Sequence, residues 1–191
     1  MSDFLPRSRV LFTALGFLAC GAVIASLVAS PGPSGLFGAA LGLLMLAIAV
    51  ADARAYIIPD RLTLVALLLA FAETAVAGIE TMPENIALAA LRGVVVALGF
   101  LALREGYFRL RRRQGIGLGD VKLAAVAGAW LDWPLIPAAV EIAAVMALAV
   151  YIGSEVVLRR PLRAAAKLPF GVFFAPAIWF CWLLGALFLK V

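Results

Sequence analysis

Residues 36–63 read LFGAALGLLMLAIAVADARAYIIPDRLT, and this stretch decides what kind of molecule the chain builds. From Leu36 to Ala51 no side chain is charged or strongly polar. About 20 apolar residues carry a helix across the hydrocarbon core of a bilayer, and this run approaches that length. Asp52 closes it, Arg54 follows, and Pro59-Asp60 supplies turn chemistry before apolar residues resume at Leu62. An uncharged helix that ends on an acid and a base is a membrane helix reaching an interface.

The same alternation extends in both directions. Apolar runs at Val10–Val28, Leu36–Ala51, Leu62–Val76, Ile86–Leu103, Val121–Leu131, Leu135–Leu158 and Phe170–Leu189 are candidate spans, separated by breaks such as Pro31-Gly32-Pro33 and Met82-Pro83. The fifth run is short and ends at Asp132-Trp133-Pro134. No repeat and no low-complexity linker appears, so the expected architecture is all-α: residues 1–191 as one polytopic transmembrane bundle of about six to seven spans. Composition agrees, with 65% hydrophobic residues against the 45–50% usual for soluble domains, and a mean hydropathy of +1.11. Arg7 and Arg9 before the first run resemble a signal-peptide start, but the run is long and Ser30-Pro31-Gly32 is a poor cleavage site, so it reads as a retained span.

The net charge of +5 does not indicate nucleic acid, because the basic residues sit in short loops between apolar runs. They set the topology instead. Arg7 and Arg9, then Arg54 and Arg61, then Arg104 to Arg113, then Arg159 to Lys167 fall in alternate loops; the intervening ones hold Glu80, Glu84 and Asp132 or no charge. This places the N-terminus in the cytoplasm and the C-terminus outside, with Arg92 and Lys190 as exceptions.

The chain has no histidine and two cysteines, Cys20 and Cys181, both in apolar runs. A zinc site of thiolates and imidazoles is excluded, as is any Ser–His or Cys–His pair. No cofactor is implied. Acid–base chemistry falls to carboxylates, Lys, Tyr or the backbone. Carboxylates at membrane depth are functional candidates by default. Asp52 closes the second run and Asp120 opens the fifth, so a topology derived from Lys and Arg alone puts both at the cytoplasmic face. Two neighbouring carboxylates share a proton: the ionised member takes a proton from water, and the protonated member polarises a carbonyl. Asp120 follows alternating glycines in Gly115-Ile116-Gly117-Leu118-Gly119, which permit close approach of another backbone.

These residues carry a family resemblance. DARAYIIPDRLT at Asp52–Thr63 resembles the first aspartate motif of type IV prepilin peptidases, and GIGLGDVKL at Gly115–Leu123 resembles their GxGD motif. Leu168-Pro169-Phe170-Gly171 resembles a later block, so the likeness covers Leu41–Pro176. The resemblance implies a membrane aspartic endopeptidase of the bacterial inner membrane. It would cut a short basic leader after a glycine, at the cytoplasmic face, from pilins or the pseudopilins of secretion systems. Asp52 and Asp120 take the catalytic positions, with Gly117, Gly119, Lys122, Pro59 and Asp60 supporting them. Bifunctional members carry paired CxxC motifs linked to N-methylation; these are missing here, so the resemblance is to the short, peptidase-only form.

Plainer roles exist for each residue. Asp120 suits the N-cap of the fifth helix, Asp52 suits an interfacial pair with Arg54, and Asp60 suits a turn and cap. Lys122 either snorkels to headgroups or tunes the dyad. Glu73 and Glu141 lie toward the outer side and are expected to be structural, with Arg92 as a partner. A transporter would favour acids near the midplane and related halves, neither of which is present. A non-catalytic assembly factor would be free to lose an aspartate, whereas both are retained.

Overall fold

The computed structural model describes residues 5–77, 81–112, 115–158 and 169–189. Among these the fold is all-α, with no strand: α1 Leu5–Ala29, α2 Pro33–Ala55, α3 Asp60–Ala77, α4 Met82–Arg111, α5 Leu118–Trp130, α6 Leu135–Leu158 and α7 Gly171–Leu184, which runs on as a π-helical turn, Gly185–Leu189. Helix ends follow local chemistry. Pro33 opens α2 behind Gly32, whose φ of 109° is in the region that favours glycine. Pro83 sits in the first turn of α4. Tyr56 turns left-handed at the end of α2, and its N–H closes on the Asp52 carbonyl at 2.9 Å.

Five helices are long and apolar enough to cross a membrane: the stretches Phe12–Ala29, Pro33–Ala55, Met82–Arg111, Leu135–Gly153 and Gly171–Phe188. The chain is therefore a multi-pass membrane protein. Helix α3 is equally apolar in its middle but carries Asp60, Arg61 and Glu73 within 18 residues. Helix α5 has 13 residues, about 20 Å at 1.5 Å per residue, too short for a core about 30 Å thick.

That short helix is the centre of the bundle. Leu123, Ala124, Val126 and Ala127 have no exposed surface, and α3, α4 and α7 enclose them. Small residues let α4 and α5 pack backbone to backbone: a β-carbon on Gly93 would lie 3.1 Å from the Ala125 carbonyl oxygen, and one on Gly128 would lie 2.5 Å from that of Arg92. The Trp130 indole donates to the Ala66 carbonyl at 2.9 Å and ties α5 to α3. Trp179 donates to Ser26 Oγ at 3.0 Å and ties α7 to α1. Phe100 stacks on Phe174 with ring centroids 5.6 Å apart, joining α4 to α7. The outward faces expose Phe17, Leu64, Leu98 and Val145, as a bundle solvated by lipid requires.

Boundaries differ from the sequence expectation where polar residues extend a helix beyond the apolar run. Helix α4 starts at Met82 rather than Ile86 and runs to Arg111 rather than Leu103, since arginines sustain a helix once it leaves the bilayer. Helix α5 starts at Leu118, ahead of Val121, and α3 starts at Asp60, ahead of Leu62. Glu80, Arg113, Arg159 to Leu168 and Lys190 lie outside the described residues, as do the side chains of Arg7 and Arg9.

Candidate active site

Asp52 occupies the last turn of α2 and is 5% exposed. Its Oδ2 accepts the N–H of Val172 at 3.2 Å, from the first turn of α7. A carboxylate at a helix N-terminus meets unpaired N–H groups and the positive end of the helix dipole. Gly171 makes this approach possible, because a β-carbon there would lie 2.8 Å from Asp52 Oδ2 and 2.9 Å from Ile58 Cδ1.

Ile58 is the buried residue in the extended link 57–59 between α2 and α3. Its side chain packs against Gly171 on one side and Gly119 on the other, where an added β-carbon would lie 3.0 Å from Ile58 Cβ. Gly119 immediately precedes Asp120, so Ile58 is the spacer that brings the start of α5 beside the end of α2. The two acids, far apart in sequence, lie at one end of the bundle, on segments that pack against Ile58 from either side.

Asp120 is half-buried at the third position of α5, with Gly117 at the N-cap. It therefore does not cap the helix by the usual route; its Oδ2 reaches back and accepts the Gly117 N–H at 3.1 Å. Because α5 is too short to cross, Asp120 lies outside the spanning segments. Burial pushes its carboxyl up to about 6; the Gly117 N–H works against that, and the negative charge of Asp52 adds to it. The Asp52 charge is the smallest of these three influences on Asp120.

The supporting residues are arranged around this pair. The Pro59 carbonyl accepts the N–H groups of Leu62 and Thr63 at 3.1 and 3.2 Å and starts α3. The Asp60 carboxylate does not cap that helix: it meets Lys122 Nζ at 2.5 Å, an exposed pair that joins the starts of α3 and α5. Lys122 thus points to Asp60. Gly117 is exposed and Gly119 half-buried. Sequence reasoning passed over Ile58, Gly171 and Val172. The block at Leu168–Gly171 was the available signal, but nothing in it foretold a bond to Asp52.

The partner expected for Arg92 is corrected: it pairs with Asp132 at 2.7 Å and donates to the Gly128 carbonyl at 3.3 Å, while Glu73 accepts from Ser34 and Glu141 is exposed. Ser34, Glu73 and Asp132 lie at the end of the bundle away from Asp52, because they sit at the start of α2, toward the end of α3 and just past α5. Among the described residues no group of His, Cys, Asp and Glu is arranged to hold a metal ion.

Comparisons with known proteins identify relatives of the chain. The model of the type IV leader peptidase family matches residues 39–152, more than half of the chain. A prepilin leader peptidase/N-methyltransferase of Burkholderia pseudomallei (strain 1026b) is 38% identical over 161 residues, covering 83% of this chain and 50% of its own. The leader peptidase HopD of Escherichia coli is 34% identical over 128 residues, 66% of this chain and 78% of its own. The chain spans about half the length of the Burkholderia relative and most of HopD. No solved structure matches.

Proposed function

This chain belongs to the type IV leader peptidase family, and on that premise we propose that it cleaves the leader peptides of type IV prepilins or pseudopilins with Asp52 and Asp120 as an aspartic dyad. The observation that carries the mechanism is the packing of Ile58 between Gly171, against which Asp52 lies, and Gly119, which precedes Asp120. A pair sharing one proton holds both an acid and a base. The ionised carboxylate takes a proton from water as its oxygen attacks the scissile carbonyl. The protonated carboxyl gives its proton to the carbonyl oxygen, and a tetrahedral diol forms. As the diol collapses, the C–N bond breaks and the leaving nitrogen takes a proton, so the new N-terminus leaves as an amine and one shared proton is restored.

The dyad lies at the end of the bundle that carries Arg54, Arg61 and the arginines of α4. Lys and Arg flank the cytoplasmic ends of spans, so this end faces the cytoplasm and the membrane is the bacterial inner membrane. A basic leader stays on that side while its hydrophobic helix enters the bilayer, which leaves the scissile bond at the interface beside Asp120. Gly115 and Gly117 are exposed, and an extended peptide would pass along this glycine-rich loop beside Asp120.

Co-expression with candidate prepilins, followed by N-terminal sequencing, tests the reading. Processed pilin beginning just after the leader is the expected product. Full-length prepilin recovered beside folded, membrane-inserted enzyme, for every pilin and pseudopilin of its own genome, overturns it.

A further inference from the structure

At the end of the bundle away from the dyad lies a cavity of about 270 Å³ that the proposed reaction does not use. It is just below the usual size of small-ligand pockets, about 300–1,000 Å³. Its lining carries groups of both signs: the Glu73 and Asp132 carboxylates, the hydroxyl-bearing Ser34 and Thr74, and Arg92, with Trp182 among the apolar parts.

The partners already taken determine what remains to bind. Glu73 accepts one hydrogen bond, from Ser34 at 3.2 Å, and no cation pairs with it among the described residues. The Thr74 hydroxyl donates to the Ala70 carbonyl at 2.8 Å, so its oxygen keeps acceptor capacity. Arg92 spends Nε on Gly128 and Nη1 on Asp132, and the other donors of its five N–H groups have no partner among the described residues. The cavity therefore presents an unpaired carboxylate with hydroxyl acceptors, and spare guanidinium donors.

We propose that this cavity binds a small zwitterion of the phosphoethanolamine type, its primary ammonium on Glu73 and its phosphate on Arg92. An ammonium supplies three donors to the Glu73, Ser34 and Thr74 oxygens, and a guanidinium matches phosphate oxygens. Trp182 offers an aromatic surface of the sort that favours organic cations. The same chemistry has two sources, the headgroup of an ethanolamine phospholipid or free phosphoethanolamine. The site is independent of the peptidase reading.

The test uses the full chain in nanodiscs of three compositions: phosphatidylethanolamine with phosphatidylglycerol, phosphatidylcholine with phosphatidylglycerol, and phosphatidylglycerol alone. Bound lipid is read by native mass spectrometry and Tm by tryptophan fluorescence. The expected result is retention of ethanolamine lipid over choline lipid by at least tenfold, with a higher Tm. Choline keeps the charge but has no N–H to donate. Glu73→Gln should erase the preference, and Ser34→Ala, which leaves the charge in place, should reduce it. Soluble phosphoethanolamine added to the phosphatidylglycerol discs separates the sources: a rise in Tm assigns free zwitterion binding, and none assigns the lipid. Equal retention of both lipids with no response to phosphoethanolamine overturns the proposal, as does an unchanged preference in folded Glu73→Gln.

Discussion

Gly171 stands so close to Asp52 that a β-carbon added to it would lie 2.8 Å from Oδ2, inside contact distance. The glycine lets the first turn of α7 bring the Val172 N–H onto the Asp52 carboxylate. Gly171→Ala should displace that carboxylate while the protein still inserts. A misplacement of about 1 Å costs on the order of 10²-fold in rate. The measurement is kcat on a prepilin peptide, with Gly106→Ala as the control, because nothing lies within 4 Å of a β-carbon at Gly106.

Asp52→Asn and Asp120→Asn should each lower cleavage by at least about 10²-fold, the lower end of what a positioned acid or base contributes. Circular dichroism of the purified variants should match the parent, since Asn is nearly isosteric. Near-parental turnover by either variant would remove that residue from the dyad.

The pH profile reports which member holds the proton. Asp120, pushed up to about 6 chiefly by burial, is protonated below that value and ionised above it. If it is the acid that protonates the scissile carbonyl, kcat falls as pH rises through about 6, approaching tenfold per unit. A kcat that climbs between pH 6 and 8 would make Asp120 the base and reverse the roles.

The Lys122–Asp60 pair should matter less than the dyad. Both side chains are largely exposed, 46% and 75%, and exposed pairs contribute about 0–1 kcal/mol. Asp60→Asn and Lys122→Ala should each shift Tm by a few degrees at most and leave most of the cleavage rate. A loss in Asp60→Asn as complete as that in Asp120→Asn would bring Asp60 into the chemistry.

Sidedness is measurable at Gly117, which is exposed beside Asp120. In a background lacking Cys20 and Cys181, Gly117→Cys should react with a membrane-impermeant maleimide in inverted vesicles and not in intact cells. The opposite pattern would put the dyad on the wrong face for a cytoplasmic leader.

The sequence by itself determined the membrane and the helical class, and it nominated the two acids. A continuous uncharged run such as Leu36–Ala51 satisfies its backbone in lipid as a helix, and a chain without histidine leaves acid–base work chiefly to carboxylates. Charge alternation between loops put Asp52 and Asp120 at one end, because topology depends on local counts of Lys and Arg. What only the tertiary structure decided was contact between distant helices. That Ile58 separates Gly119 from Gly171, that Val172 donates to Asp52, that Lys122 pairs with Asp60, and that Arg92 chooses Asp132 over Glu73 all depend on how α3, α5 and α7 pack. Loop charge and hydrophobic period fix which end of a helix faces which side; they carry no information on its rotation or its neighbours. Those are set by side-chain volumes and glycine notches across the whole bundle, which exist only once it is assembled.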